Sequence, residues 1–599
     1  MREFHVASSV TTLSMSNVAD IVYDNARSRP DHVALRRRTN GSWLDVTARA
    51  FADEVTAVAK GFMAAGIQAG DRVAVMSKTR YEWTLVDFAL FTAGAVVVPI
   101  YETSSAEQVE WILSDSGARA AVVETAEHAS LVDSVHEHTP DFQHLWTIDS
   151  GAIDTLVSDG KDISDDAVRE RRQAVTLDDT ASLIYTSGTT GRPKGCRLLH
   201  RSFVAECSEL AEVLRSFFNE GTSTLLFLPI AHVFGRVIEV GALYVGCTLG
   251  HTPDVKNLID DLGEFKPTFV LAVPRVFEKV YNSAKQRAHA SGKGKIFDRA
   301  EAVAIAYSEA DGKPGLMVRL QHAVFDRLVY SKLRAALGGE CIAAVSGGAP
   351  LGARLGHFFR GTGVTIYEGY GLTETTAGIC VNRPDSIRVG TVGQPVGDVT
   401  IRIADDGEVL ARSPMVFAGY WQNEDATAEA IDGDGWFHTG DLGEIDQDGY
   451  VKITGRKKEL IVTAGGKNVA PAVLEDRVRA HYLISQCLVV GDQKPYIGAL
   501  VTLDPESMPQ WLSEHGKAED TPLADVVDDP ALQAEIQGAI DDANKAVSKA
   551  ESIRKFTILP ADWTEESGQL TPSLKLKRNV VHKECADQIA ALYSDARPR

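Results

Sequence analysis

Three scarcities frame this 599-residue chain: few cysteines, no long apolar run and no excess of positive charge. The cysteines number seven (196, 207, 247, 341, 380, 487 and 585) and show no CxxC pair or metal-ligand spacing. That excludes a disulfide framework and a structural zinc site, and reads as reduced core residues of a cytoplasmic protein. The longest nearly uncharged run, Phe88 to Tyr101, has 14 residues, short of the ~20 that a spanning helix needs. It ends in Ala95-Val-Val-Val-Pro-Ile100 and reads as a buried helix running into a strand. Residues 1–20 lack the apolar segment of a secretory signal. With 61 Lys+Arg against 82 Asp+Glu the net charge is −21. A broad grip on nucleic acid or anionic lipid is therefore disfavoured, and an anionic ligand must find a local positive site.

What is present is an ordinary globular composition, 44% apolar and 24% charged, in a chain long enough for several packed units. Short apolar runs at 72–76, 96–100, 120–124 and 145–149 alternate with helical patterns around 81–93, 106–116 and 129–135. That alternation predicts crossover units on a mostly parallel sheet. A second series, 224–230, 268–273, 342–345 and 364–367, predicts a related α/β layer. From about Arg388 β-type runs (399–403, 407–412, 450–454) are separated by Asp/Gly turns and predict a small antiparallel sheet or barrel. A domain boundary is placed between residues 1–455 and 456–599. Residues 504–545 carry a local net of −9 and read as an exposed helical insertion.

The densest chemical signal is Tyr185-Thr-Ser-Gly-Thr-Thr-Gly-Arg-Pro-Lys-Gly195. A strand enters a loop in which Thr186, Ser187, Thr189 and Thr190 offer hydroxyl donors. Gly188 and Gly191 let backbone N–H groups approach oxyanions, and Lys194 brings a charge to a polyphosphate. No Gly-Lys-Ser/Thr sequence is present, so this is not a Walker A loop.

Five further segments follow in order: Leu228-Pro-Ile-Ala-His-Val-Phe-Gly-Arg236, Ser346-Gly-Gly-Ala-Pro350, Tyr367-Glu-Gly-Tyr-Gly-Leu-Thr-Glu374, Trp436-Phe-His-Thr-Gly-Asp441 and Gly455-Arg-Lys-Lys-Glu-Leu-Ile461. With the Thr/Gly loop they resemble the motifs of the adenylate-forming superfamily, and the resemblance spans essentially the whole chain. It implies an α/β fold. A large N-terminal domain has two layered α/β sheets and a small β-barrel-like subdomain, and a smaller mobile α+β C-terminal domain follows. It also implies ATP/AMP contacts at Gly348, Ala349, Pro350, Glu368, Gly369, Tyr370, Gly371, Thr373, Asp441 and Arg456, besides the loop residues. Tyr370 would stack on adenine, Asp441 accept the ribose hydroxyls, and Arg456 reach the ribose or α-phosphate. Glu374 resembles the family's Mg2+ ligand, and one carboxylate with phosphate oxygens and waters is a usual magnesium site. His232 would line the acyl tunnel or touch the substrate carboxylate, unless it is a half-buried structural histidine.

Near the C-terminus, Leu570-Thr-Pro-Ser-Leu-Lys-Leu-Lys-Arg578 resembles the family's last motif. Its Lys-x-x-Arg spacing selects Lys575 as the adenylation lysine, with Lys577 as the alternative register because Leu574 stands where Gly is usual. The implied chemistry joins a long-chain fatty acid to the α-phosphorus of ATP. A thiol, coenzyme A, then attacks the acyl-adenylate. A hinge at Lys458 would withdraw Lys575 and bring in Gly465, Gly466 and Lys467 to line the pantetheine channel. The implied alternative is a fatty acyl-AMP ligase serving a carrier-protein thiol. Residues 283–319 form a Lys/Arg/Gly-rich helical stretch that gates the acyl tunnel, touches a membrane peripherally or is a solvated insertion. Small-molecule substrates and no nucleic acid are expected; monomer and homodimer both remain compatible.

Overall fold

Helix Tyr81–Thr92 is apolar around its whole circumference, and every residue but Glu82 is buried. A helix of this kind must be covered on all sides, and it runs, as expected, directly into the buried strand Val96–Ile100. That strand lies in a six-stranded sheet ordered His144–Thr147, Ala120–Val123, Arg72–Met76, Val96–Ile100, Thr180–Thr186, Lys194–Leu199. The pairings are parallel except the last, where Thr180–Thr186 turns back antiparallel into Lys194–Leu199. The computed structural model describes residues 2–10, 15–186, 192–253, 257–571 and 575–594.

A second sheet runs Phe269–Ala272, Ala343–Ser346, Thr365–Leu372, Ala377–Val381, Gln394–Pro395. Its first three strands are parallel and the rest antiparallel. A four-stranded sheet, Ser223–Leu226, Thr248–His251, Val33–Thr39 and Ser42–Thr47, adds a hairpin at 33–47 that the apolar pattern does not announce. The strands Val399–Ile403, Glu408–Arg412, Phe437–Ile445 and Val451–Arg456 follow the N-terminal Glu3–Val6 in a five-stranded sheet whose order is chain order. This is the small sheet expected from the Asp/Gly turns.

Two compact units emerge. One comprises residues 1–402, 410–439 and 445–451, the other 403–409, 440–444 and 452–599. The second has a three-stranded sheet, Ile484–Val490, Ile497–Leu503 and Ile553–Ile558. The acidic stretch 504–545 corrects the expectation of an exposed insertion. Helix Pro530–Asn544 buries Leu532, Ile536, Ala539, Ile540 and Ala543 in this unit's core, beside Trp511 and Leu512. Asp541 and Asp542 stay exposed on its outer side, while half-buried Glu535 accepts from Trp511 Nε1–H and the Tyr482 hydroxyl, each at 2.8 Å. All seven cysteines are free and buried. No described helix is long and apolar enough to cross a membrane.

Candidate active site

The Thr/Gly loop is held by its two legs. Thr186 and Lys194 pair across the antiparallel hairpin and close it. Trp111 Nε1–H donates to the Pro193 carbonyl at 2.8 Å, and Trp421 N–H donates to the Gly195 carbonyl at 2.7 Å. Ser187, Gly188, Thr189, Thr190 and Gly191 lie outside the described residues.

At the foot of the loop three side chains meet. The Lys194 ammonium sits 4.9 Å from the centroid of the Tyr420 ring. The Tyr420 hydroxyl donates to Glu374 Oε1 at 2.8 Å. Burial, then the Glu374 charge, push the phenol well above its ordinary range, so it stays a donor. Cys196, on the same hairpin and bridged to Tyr420, is likewise pushed up by burial and Glu374 and remains a thiol, not a nucleophile. Sequence reasoning missed Tyr420; its only signal is an aromatic pair after Gly419.

Glu374 stands in the 3₁₀ turn Thr373–Thr375, just beyond strand Thr365–Leu372, where open sheets bind ligands. The next two residues, Thr376 and Ala377, have φ of 55° and 91°. Non-glycine residues in this region store strain, and the Thr376 hydroxyl bonded to the Met415 carbonyl at 2.7 Å holds them there. Gly371 is fixed by crowding: a Cβ there would lie 1.3 Å from the Ala377 carbonyl oxygen. The half-buried Tyr370 lies in the same strand. Glu368 turns instead toward the preceding loop, accepting from Leu351 N–H at 3.0 Å. This carboxylate anchors Leu351, at the end of the exposed turn Gly348, Ala349 and Pro350, to the strand that carries Gly369 and Tyr370.

His232 is the N-cap of helix Val233–Val245, its Nδ1 accepting from Phe234 N–H at 3.1 Å. A backbone N–H can only donate, so in the neutral ring the proton resides on Nε2. Behind it, fully buried Arg236 pairs with both oxygens of Asp87 at 2.9 Å.

In the second unit Arg456 Nε lies 2.9 Å from Asp441 Oδ1, which is buried while the arginine is exposed. Lys458 occupies the exposed 3₁₀ turn Lys457–Glu459. Gly465, Gly466 and Lys467 form an exposed loop closed by Gly466 N–H to the Thr463 carbonyl at 2.8 Å. Gly466 has φ +76°, whereas a Cβ on Gly465 would meet only Thr463 Oγ1 at 3.9 Å. Lys467 pairs with Glu551 at 3.3 Å. Lys575 is exposed beside Leu576, which packs on a core containing Leu570 and Trp563. Lys577 precedes helix Arg578–Glu584 and donates its N–H to the Gln569 carbonyl at 2.8 Å. Arg578 is held charged by Glu475 and Glu459 against the cost of burial.

The chain matches the AMP-binding enzyme model over residues 22–421 and the AMP-binding enzyme C-terminal domain model over 458–597. Long-chain-fatty-acid–CoA ligase FadD15 of Mycobacterium bovis is 53% identical over 599 residues, covering 99% of this chain and 100% of that protein. Long-chain-fatty-acid–CoA ligase ACSBG2 of Xenopus laevis is 29% identical, with 98% of this chain and 85% of that protein covered. Among solved structures, the adenylation domain of a carboxylic acid reductase from Segniliparus rugosus, with AMP and a carboxylic acid, superimposes with TM-score 0.75. It is 22% identical and covers 97% of this chain and 95% of its own. The anthranilate CoA ligase AuaEII with anthranoyl-AMP gives 0.72 at 23% identity, covering 96% and 98%. At these identities the two structures speak for the fold.

Proposed function

Because the chain belongs to the AMP-binding enzyme family, we propose that it activates a long-chain fatty acid with ATP to an acyl-adenylate and transfers the acyl group to coenzyme A. The observation that carries this reading is the grouping of Lys194, Tyr420 and Glu374 at the foot of the Thr/Gly loop. In the first half-reaction the substrate's own carboxylate attacks the α-phosphorus and pyrophosphate leaves. Lys194 and Lys575 offset the charge that develops on the phosphates. Glu374, half-buried and already accepting one hydrogen bond, would hold Mg2+ through its carboxylate, one protein carboxylate being a usual share of such a site. When bound there, Mg2+ supplies further positive charge to the phosphate oxygens.

Tyr370 and the turn at 348–350 take the adenine, and Asp441 with Arg456 take the ribose and α-phosphate. His232 presents Nε2–H to the acyl carboxylate. In the second half-reaction the thiol of coenzyme A attacks the carbonyl carbon and AMP departs. Lys458 acts as the hinge between 1–455 and 456–599 that exchanges Lys575 for the Gly465–Gly466–Lys467 loop. Transfer to a carrier-protein thiol has no observation in its favour. A thioester-formation assay over fatty acids of increasing chain length, following AMP and pyrophosphate release, tests the reading. Acyl-adenylate accumulation without thioester at any length would overturn it.

A further inference from the structure

Helix Leu316–Phe325 buries none of its residues. Leu316 is 73% exposed, Met317 67%, Leu320 58%, Val324 56% and Leu328, in the π-turn that follows, 50%. These are five of the twelve large hydrophobics that stand exposed among the described residues, gathered within 13 positions. The spacing 316, 320, 324 repeats every four residues and places these side chains on one helix face. The inward side is fixed by a polar residue: His322 stacks on Tyr307 at 3.9 Å and bonds through Nε2 to the Gly361 carbonyl at 2.6 Å. Apolar side chains therefore face solvent across from a histidine that faces the protein, the reverse of an ordinary surface helix. Ile296, 44% exposed, adds to the apolar surface from the adjoining helix Gly294–Glu309.

The charge around this face departs from that of the chain. Residues 274–334 hold 12 Lys+Arg (275, 279, 285, 287, 293, 295, 299, 313, 319, 327, 332, 334) and 6 Asp+Glu (278, 298, 301, 309, 311, 326), a net of +6. The chain as a whole carries −21, so the remainder carries −27. Lys293, Lys295, Lys313, Arg319, Arg327 and Lys332 are exposed, and none of them forms an ion pair among the described residues. An exposed apolar face with basic residues beside it fits the boundary of an anionic bilayer, where alkyl groups enter the acyl region and cations meet lipid phosphates. A second copy of the chain fits worse, because a two-fold contact through this face would oppose two segments of +6.

We propose that the Leu316–Leu328 face, with its basic surround, docks the protein on anionic lipid bilayers. Its use in collecting a bilayer-dissolved fatty acid rests on the fatty-acid reading above; docking itself does not.

The test uses the full chain and vesicles of equal parts phosphatidylglycerol and phosphatidylcholine, with pure phosphatidylcholine as the comparison. The wild type is expected to float with the anionic vesicles, to be released by salt and to ignore the neutral ones. The variant Met317→Ser/Leu320→Ser/Val324→Ser should bind anionic vesicles roughly tenfold or more weaker, since three buried alkyl groups are lost. Lys293→Gln/Lys295→Gln/Arg319→Gln/Arg327→Gln should lose affinity and most of the salt dependence. Both variants substitute exposed side chains and should keep wild-type melting and turnover of soluble octanoate. A wild type indifferent to anionic vesicles, or variants that bind them as tightly, would overturn the proposal. So would a serine variant that only converts a dimer to a monomer. A chain that docks yet forms no thioester from any fatty acid supports docking and refutes the activity. One that forms thioester yet never docks does the opposite.

Discussion

The Tyr420 hydroxyl bonds Glu374 at 2.8 Å while the same ring lies 4.9 Å from the Lys194 ammonium, so one aromatic side chain touches both charges of the proposed phosphate site. Tyr420→Phe keeps the ring and deletes the donor. Losing a hydrogen bond to a charged acceptor costs about 1.5–3 kcal/mol, so kcat/KM for ATP should fall roughly tenfold or more. Glu374→Gln should abolish magnesium-stimulated adenylation and leave folding intact. Steady-state kinetics against ATP and Mg2+ check both; a wild-type Tyr420→Phe would reduce the contact to packing.

Arg578 ties the segment after Lys575 to the turn that holds Lys458. Its Nε lies 3.1 Å from Glu459, and its other arm pairs with buried Glu475, whose second oxygen accepts from Val489 N–H at 2.7 Å. Arg578→Gln leaves a buried carboxylate without its cation, a change that costs about 3–5 kcal/mol. Arg578→Lys keeps the charge but not the two-armed geometry. Both should lower pyrophosphate exchange more than thioester formation from supplied acyl-adenylate, and Arg578→Gln should also lower the melting temperature. Unchanged exchange in a folded Arg578→Lys protein would detach this arginine from the lysine's placement.

His200 and His251 are fully buried, and burial lowers each from 6.5 to about 4. The folded value is the lower one, so the unfolded chain binds more protons below pH 6.5. Their contribution is complete above pH 6.5 and is lost as pH falls toward 4, at about 1.4 kcal/mol per unit for each histidine. Buried Glu206 and Glu239 are pushed up by burial and act in the opposite sense. The informative quantity is therefore the slope difference between wild type and His251→Gln in urea unfolding from pH 7 to 5. Parallel slopes would mean that His251 is charged in the folded protein.

Much of this architecture is written locally. Arg72–Met76, Val96–Ile100, Ala106–Ser116 and Val399–Ile403 fall where apolar runs and helical periodicity put them. Parallel strands buried on both faces must be continuously apolar. The hairpin 33–47 was invisible because its strands carry three consecutive arginines at 36–38, which face carboxylates such as Asp45 and Asp261. In the candidate site, glycine-rich segments with a lysine or carboxylate stand out in the sequence because close backbone approach needs glycine. Tyr420 was not: its role arises from Ala418–Trp421 pairing with the Lys194 strand, a contact more than 200 residues apart in sequence. The outward apolar face of 316–328 was equally hidden, because an amphipathic pattern does not say which side the protein covers.

The central claim is that two segments of 452–599 serve different half-reactions. Two variants separate them: Lys575→Ala, and Gly465→Leu, which adds bulk where a Cβ has room and the backbone is unstrained. The deciding measurement is carboxylate-dependent pyrophosphate exchange and conversion of supplied acyl-adenylate with coenzyme A, assayed side by side on both proteins. Lys575→Ala should lose roughly 10²–10³ in exchange, the cost of one well-placed transition-state charge, and retain thioester formation; Gly465→Leu should do the reverse. Equal loss of both half-reactions in both variants would mean one fixed site and would contradict the account.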